Sequence, residues 1–176
     1  MAQAQESDAG DTTNVITWNA ARKLNWGDFE GKVPAVTHEA ALSQCGFGYA
    51  TNNVTRREAL AVKVSARFYR KESWSHPDKR SIRLLQHEQR HFDLCELYAR
   101  KLRKAVQEGH YTGADMHKVD KLYEKYSDEL NETQMKYDGE TIHSLDTERQ
   151  NEWNERIAKE LSELEHFSEP TIRSNP

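Results

Sequence analysis

Residues His87-Glu88-Gln89-Arg90-His91 sit inside a run whose apolar side chains return at helical spacing. Ile82, Leu84, Leu85, Leu94, Leu97, Tyr98, Leu102 and Val106 give one long helix, over residues 81–108, a side that must be buried. A helix sets residues four apart on one face, so His87 and His91 can offer ring nitrogens to one ion. Glu88 stands beside them, where it can take a proton from water. Two histidines holding a metal and a glutamate acting as base form the core of a zinc hydrolase site. The plainer alternative is a solvated face carrying two histidines by chance, and the apolar context counts against it.

A catalytic zinc usually has three protein ligands and an open position for water. At about 100° per residue, Asp93 falls nearly opposite the two histidines, and Glu96 also points away. Asp93 is therefore expected to support the site from behind or to hold an arginine. The third ligand must come from another element. Residues 137–143, which Gly139 marks as a break between helices, concentrate Asp138, Glu140 and His143. His143 is the first choice, Glu140 the second and Asp138 the third.

The remaining chain reads as strands first and helices after, hence α+β. Residues 15–18 and 40–49 are strand candidates, the latter with Gly46 and Gly48 as bend positions. Leu60, Val62, Val64, Ala66 and Phe68 alternate with Ala61, Lys63, Ser65 and Arg67, a strand with one buried face. It lies just upstream of the metal helix, so its free backbone is expected to pair with an extended peptide. Were that strand closed on both sides, a small-molecule or cell-wall amidase would be favoured. Arg100, Lys101, Arg103 and Lys104 fall near the end of the metal helix, where cations complement its dipole, and Gly109 is placed as its cap. Two further helices are expected over 114–136 and 145–167. A polar lead over 1–14, one domain over 15–167 and a tail over 168–176 complete the plan.

Both charge signs are interspersed and the net charge is only -4, which offers no footprint for nucleic acid. No apolar run approaches membrane-spanning length. Ala2-Gln3-Ala4 has the small-x-small form of a cleavage site. A periplasmic or secreted protein whose signal peptide has been removed is expected, and there Cys45 and Cys95 could pair.

The run Gln86-His87-Glu88-Gln89-Arg90-His91-Phe92-Asp93 and the later Tyr137-Asp138-Gly139-Glu140-Thr141-Ile142-His143 carry a resemblance. Together with Trp18, Leu24 to Gly31, Ser73-Trp74, Gln150 and Trp153, they resemble a bacterial domain-of-unknown-function family described as predicted secreted zinc-dependent proteases. The family pattern has glycine after its last histidine, where this chain has Ser144. The resemblance implies a zincin-like fold: a small sheet packed on the active-site helix, with two more helices behind it. It also implies a Zn²⁺ metalloprotease acting on protein or peptide. Tyr137 is a candidate donor to the developing oxyanion. A non-peptidase amidohydrolase and a non-catalytic metal-binding module are the rivals. Glu88 counts against the last, because a structural site has no need of a base.

Overall fold

The computed structural model describes residues 13–51 and 55–175. The expected polar lead falls outside the described residues as far as residue 12, as does the small-x-small triplet. The fold is α+β, with short strands early in the chain and three helices after them. The strands are β1 (Val15–Thr17), β2 (Ala41–Leu42), β3 (Cys45–Ala50), β4 (Ala61–Tyr69) and β5 (Trp74–Ser75). The helices are α1 (Ile82–Glu108), α2 (Met116–Thr141) and α3 (Thr147–Glu163), and β6 (Thr171–Arg173) follows them. No helix among the described residues is long and apolar enough to cross a membrane.

The alternation of residues 60–68 translates directly into burial. Leu60, Val62, Val64, Ala66 and Phe68 are all at most 1% exposed, and they form the floor on which α1 lies. β4 is central, which corrects the expectation that its backbone is free. β3 pairs antiparallel along one side, with Phe47 opposite Ala66 and Tyr49 opposite Val64. β1 and β6 divide the other side, β1 against the Phe68 end and β6 against the Val62 end. Neither edge of β4 can accept a substrate strand. β6 also draws part of the supposed tail into the sheet, with Ile172 buried.

The segment 40–49 breaks at Ser43 and Gln44, not at its glycines. Gly46 and Gly48 lie within β3, and a Cβ added at either would meet nothing. β2 pairs with β5 in a separate two-stranded sheet.

α1 starts where Ser81 accepts from the Leu84 N–H, a side-chain cap for a helix entry. Gly109 caps its end, and the left-handed residue is the next one, His110. Arg100 and Arg103 do not serve the dipole at that end. Both are buried, and both donate to Glu96. Arg103 also binds the Val64 carbonyl, tying helix to sheet. Buried charges persist only when paired and fully hydrogen-bonded, and this cluster meets that condition.

α2 runs past the expected break. Gly139 is helical, and the chain turns instead at 142–144, where Ile142, His143 and Ser144 all have positive φ. Ser144 occupies a left-handed position, at φ 77°, which explains why a glycine suits the site physically.

Candidate metal centre

α1 brings His87, Glu88 and His91 to the wall of a cavity of about 420 Å³. Residues of the β2 segment, from Glu39 to Cys45, form the facing wall. α2 contributes Asn131, Gln134, Met135 and Asp138, and His143 stands where the chain leaves that helix.

His87 and His91 meet as helical spacing requires. Their Nε2 atoms are 3.3 Å apart. Asp138 Oδ1 lies 3.1 Å from His87 Nε2 and 2.9 Å from His91 Nε2. Four ligands at about 2.0–2.1 Å around a tetrahedral zinc stand roughly 3.3 Å from one another. The three atoms thus form a triangle with edges close to those of one face of a zinc site. His87 and His91 are buried and Asp138 is partly so.

The other ring nitrogens fix the direction of the lone pairs. His87 Nδ1 is 3.0 Å from Gln150 Oε1, and His91 Nδ1 is 2.6 Å from Gln134 Oε1. The Gln150 amide nitrogen donates to the Tyr137 hydroxyl and to Asn154 Oδ1, which holds its oxygen toward His87. Each Nδ1 therefore carries the proton and donates to an amide oxygen, leaving Nε2 with a lone pair in the neutral ring. Two such lone pairs and a carboxylate converge on one point, which calls for a cation or a proton there.

Electrostatics agree. Burial pulls the His91 imidazolium down, but its hydrogen bond to Asp138 and that residue's charge outweigh this and push its pKa up to about 9. Burial opposes ionisation of Asp138, yet the hydrogen bonds from His87 and His91 hold its carboxyl well below the usual range. Without metal, a proton on His91 supplies the positive charge.

Glu88 is 4% exposed and lines the cavity. Among the described residues, no side-chain hydrogen bond or ion pair engages its carboxylate. It remains available to accept a proton from a molecule in the cavity.

The other candidate residues fall as follows. His143 borders the cavity but lies outside the three-atom group: its side chain is 60% exposed and its Nδ1 is 3.7 Å from Asp138 Oδ1. Glu140 turns away and accepts from Trp153 Nε1 at 2.8 Å. The structure thus brings Asp138, third in order from the sequence, to the two histidines. Tyr137 does not reach the cavity, which corrects the oxyanion assignment. It is fully buried, stacks on the His87 ring at 4.6 Å, and donates to the His87 carbonyl. It positions His87. Burial pushes its hydroxyl pKa well up, against the pull of the Gln150 hydrogen bond.

Asp93 holds an arginine, as its angle on the helix implies. It accepts from Arg90 at 2.5 Å, from Gln89 at 2.8 Å and from Trp18 Nε1 at 2.8 Å. Arg90 in turn donates to Asn154, which also receives the Gln150 amide. The chain Asp93, Arg90, Asn154, Gln150, His87 thus links the back of α1 to the ligand ring. Gln134 and Gln150 set both imidazole orientations; Gln150 entered the sequence analysis only as part of the family resemblance, with no role, and Gln134 not at all. Only their helical faces, read against α1, could have indicated them.

Residues 49–144 match a family model described as Bacterial protein of unknown function (DUF922), a span that includes all the cavity's helical residues. No curated protein and no solved structure matches the chain.

Proposed function

The chain belongs to this bacterial family, DUF922, and we propose that it is a zinc-dependent hydrolase of amide bonds that acts on peptide chains. One observation carries the proposal: the triangle of His87 Nε2, His91 Nε2 and Asp138 Oδ1 beside the unpaired Glu88 carboxylate. His87, His91 and Asp138 would hold the ion, and His143 lines the same cavity. Bound there, zinc supplies a Lewis acid for the scissile carbonyl and brings the pKa of a coordinated water near neutrality. Glu88 accepts the proton of the attacking water and delivers it to the leaving amine. Gln150 and Gln134 keep both imidazoles in the tautomer that offers Nε2.

The facing wall supports a peptide substrate. His76 N–H donates to the Ala40 carbonyl, so in the antiparallel β2–β5 pairing the polar groups of Ala41 turn away from β5. That leaves a strand edge beside the cavity for an extended chain. Leu42 and Met135 are large apolar side chains that remain exposed at this cavity, and they suit an apolar substrate side chain. A second reading, a small-molecule or cell-wall amidase, is favoured by the shortness of β2 and the closure of β4 on both sides. A periplasmic or secreted location accompanies both readings.

The test combines zinc content with digestion of a peptide library. The wild type should retain one zinc after dialysis, His87→Ala and Asp138→Ala should lose it, and His143→Ala measures what the rim histidine adds. Cleavage of library peptides should stop with a chelator and return with zinc. A wild type that keeps no zinc, or cleavage indifferent to chelation, would overturn the proposal. Zinc binding with cleavage of cell-wall amides alone would establish the second reading instead.

A further inference from the structure

Cys45 and Cys95 are both free thiols, 50 residues apart in sequence, with Sγ atoms 3.3 Å apart. Cys95 is on α1, one turn beyond His91, and is fully buried. Cys45 opens β3, is only partly buried and lines the metal cavity. We propose that the two close into an intramolecular disulfide clamping the cavity's substrate-side wall to the metal-bearing helix, and that exchange enters at Cys45.

The wall formed by residues 41–45 is anchored mainly on its far side. Gln44 donates its N–H to Ser73 Oγ and accepts from the Tyr69 N–H, while β2 pairs with β5. Toward α1, among the described residues, its hydrogen bonds are two weak ones, from Ser43 Oγ to the Glu88 carbonyl at 3.4 Å and from the Cys95 thiol to Cys45 Sγ at 3.3 Å. A covalent link at the next position but one would fix the distance across the cavity that a substrate must span. β3 registers Cys45 opposite Phe68, which packs against Phe92 of α1. Bond formation then needs the sulfurs to close from 3.3 Å to about 2.0 Å, a motion of side chains.

The exchange balances with an external disulfide, RSSR, of the glutathione or dithiol-oxidoreductase class. The Cys45 thiolate attacks one sulfur of RSSR, forming Cys45–SR and releasing RS⁻. Cys95 then gives up its proton, to that RS⁻, and attacks Cys45 Sγ. The Cys45–SR bond breaks and the second RS⁻ leaves, taking a proton from solvent. The two cysteines lose two electrons and RSSR becomes two RSH. Such a bond persists in an oxidising compartment, where the proposal places the mature protein. The pairing stands apart from the zinc proposal, because thiol counting reads it without metal or activity.

The full chain is incubated with oxidised glutathione, quenched in acid, unfolded, alkylated and weighed intact, then mapped by peptide. The expected result is a monomer without alkylation and with a cross-linked peptide joining Cys45 to Cys95, both alkylated after reduction. Cys95→Ser should trap a glutathione adduct on Cys45, whereas Cys45→Ser should leave buried Cys95 unmodified in the folded protein. Two alkylated cysteines in the oxidised wild type, a lasting Cys45 adduct without a cross-link, or disulfide-linked dimers would each overturn the proposal. Absence of an adduct in Cys95→Ser would overturn the entry route.

Discussion

Replacing Asp138 by asparagine in the zinc-free protein should produce a stability loss with a defined pH profile. The His91 pKa rises from 6.5 to about 9 in the folded state, with burial opposing and Asp138 supplying the rise. That difference corresponds to about 3 kcal/mol. A group whose folded pKa is raised contributes fully below its unfolded pKa and loses the contribution as pH climbs through the folded value. Wild type should therefore exceed Asp138→Asn by about 3 kcal/mol at pH 5 and somewhat less at pH 7, with the gap closing near pH 10. The lowered pKa of the Asp138 carboxylate is the same contact seen from its other partner, so it adds no second contribution, and it is lost on the acid side as the carboxylate is protonated. Urea unfolding of both chelated proteins at pH 5, 7 and 10 measures the gap. A gap that is flat across this range, or wider at pH 10 than at pH 7, would refute the reasoning. Zinc provides a second check. Displacing the His91 proton, its binding at pH 7.5 should release about one proton, read by calorimetry in buffers of different ionisation enthalpy.

Three other substitutions follow from the same contacts. Tyr137→Phe removes the hydroxyl that joins the His87 carbonyl to Gln150, and should cost about 1–2 kcal/mol in urea unfolding while changing kcat less than threefold. A loss of a hundredfold or more in kcat with stability intact would return Tyr137 to the reacting atoms. Gly139→Ala should stabilise the protein by about 0.5–1 kcal/mol, because the residue is helical and exposed and its Cβ would meet nothing; a drop in Tm would contradict this. Leu42→Ser should raise KM for peptides with an apolar residue beside the scissile bond and leave kcat nearly unchanged, and an unaltered KM would remove Leu42 from the substrate site.

The parts of the fold that depend on periodicity were legible in the sequence. Residues 60–68 alternate because one face packs on α1, although Ser65 on the other face is also buried, and the i, i+4 histidines meet because α1 is helical throughout. Elements governed by distant partners were not legible. β6 has three residues, too few for a pattern, and is a strand because Val62 and its neighbours supply the ladder. Gly139 suggested a helix end, yet a glycine costs a helix only about 1 kcal/mol, and the burial of Tyr137 and Thr141 on either side outweighs it. That extra helical length turns Asp138 toward the histidines and leaves Glu140 to Trp153. The actual stop, at 142–144, lacks the glycine that would announce it. Arg100 and Arg103 read as cations serving the helix dipole because nothing local reveals that their partners are Glu96 and the backbone carbonyls of Val64, Leu161 and Phe167.

The central claim, that Glu88 moves a proton during metal-dependent amide hydrolysis, is tested most directly by Glu88→Gln. The amide keeps the shape of the side chain and cannot accept the proton. The variant should bind one zinc as the wild type does, unfold at the same urea concentration within error, and lose peptide cleavage by a factor of at least about a hundred. Cleavage by the zinc-loaded variant at the wild-type rate would contradict the account.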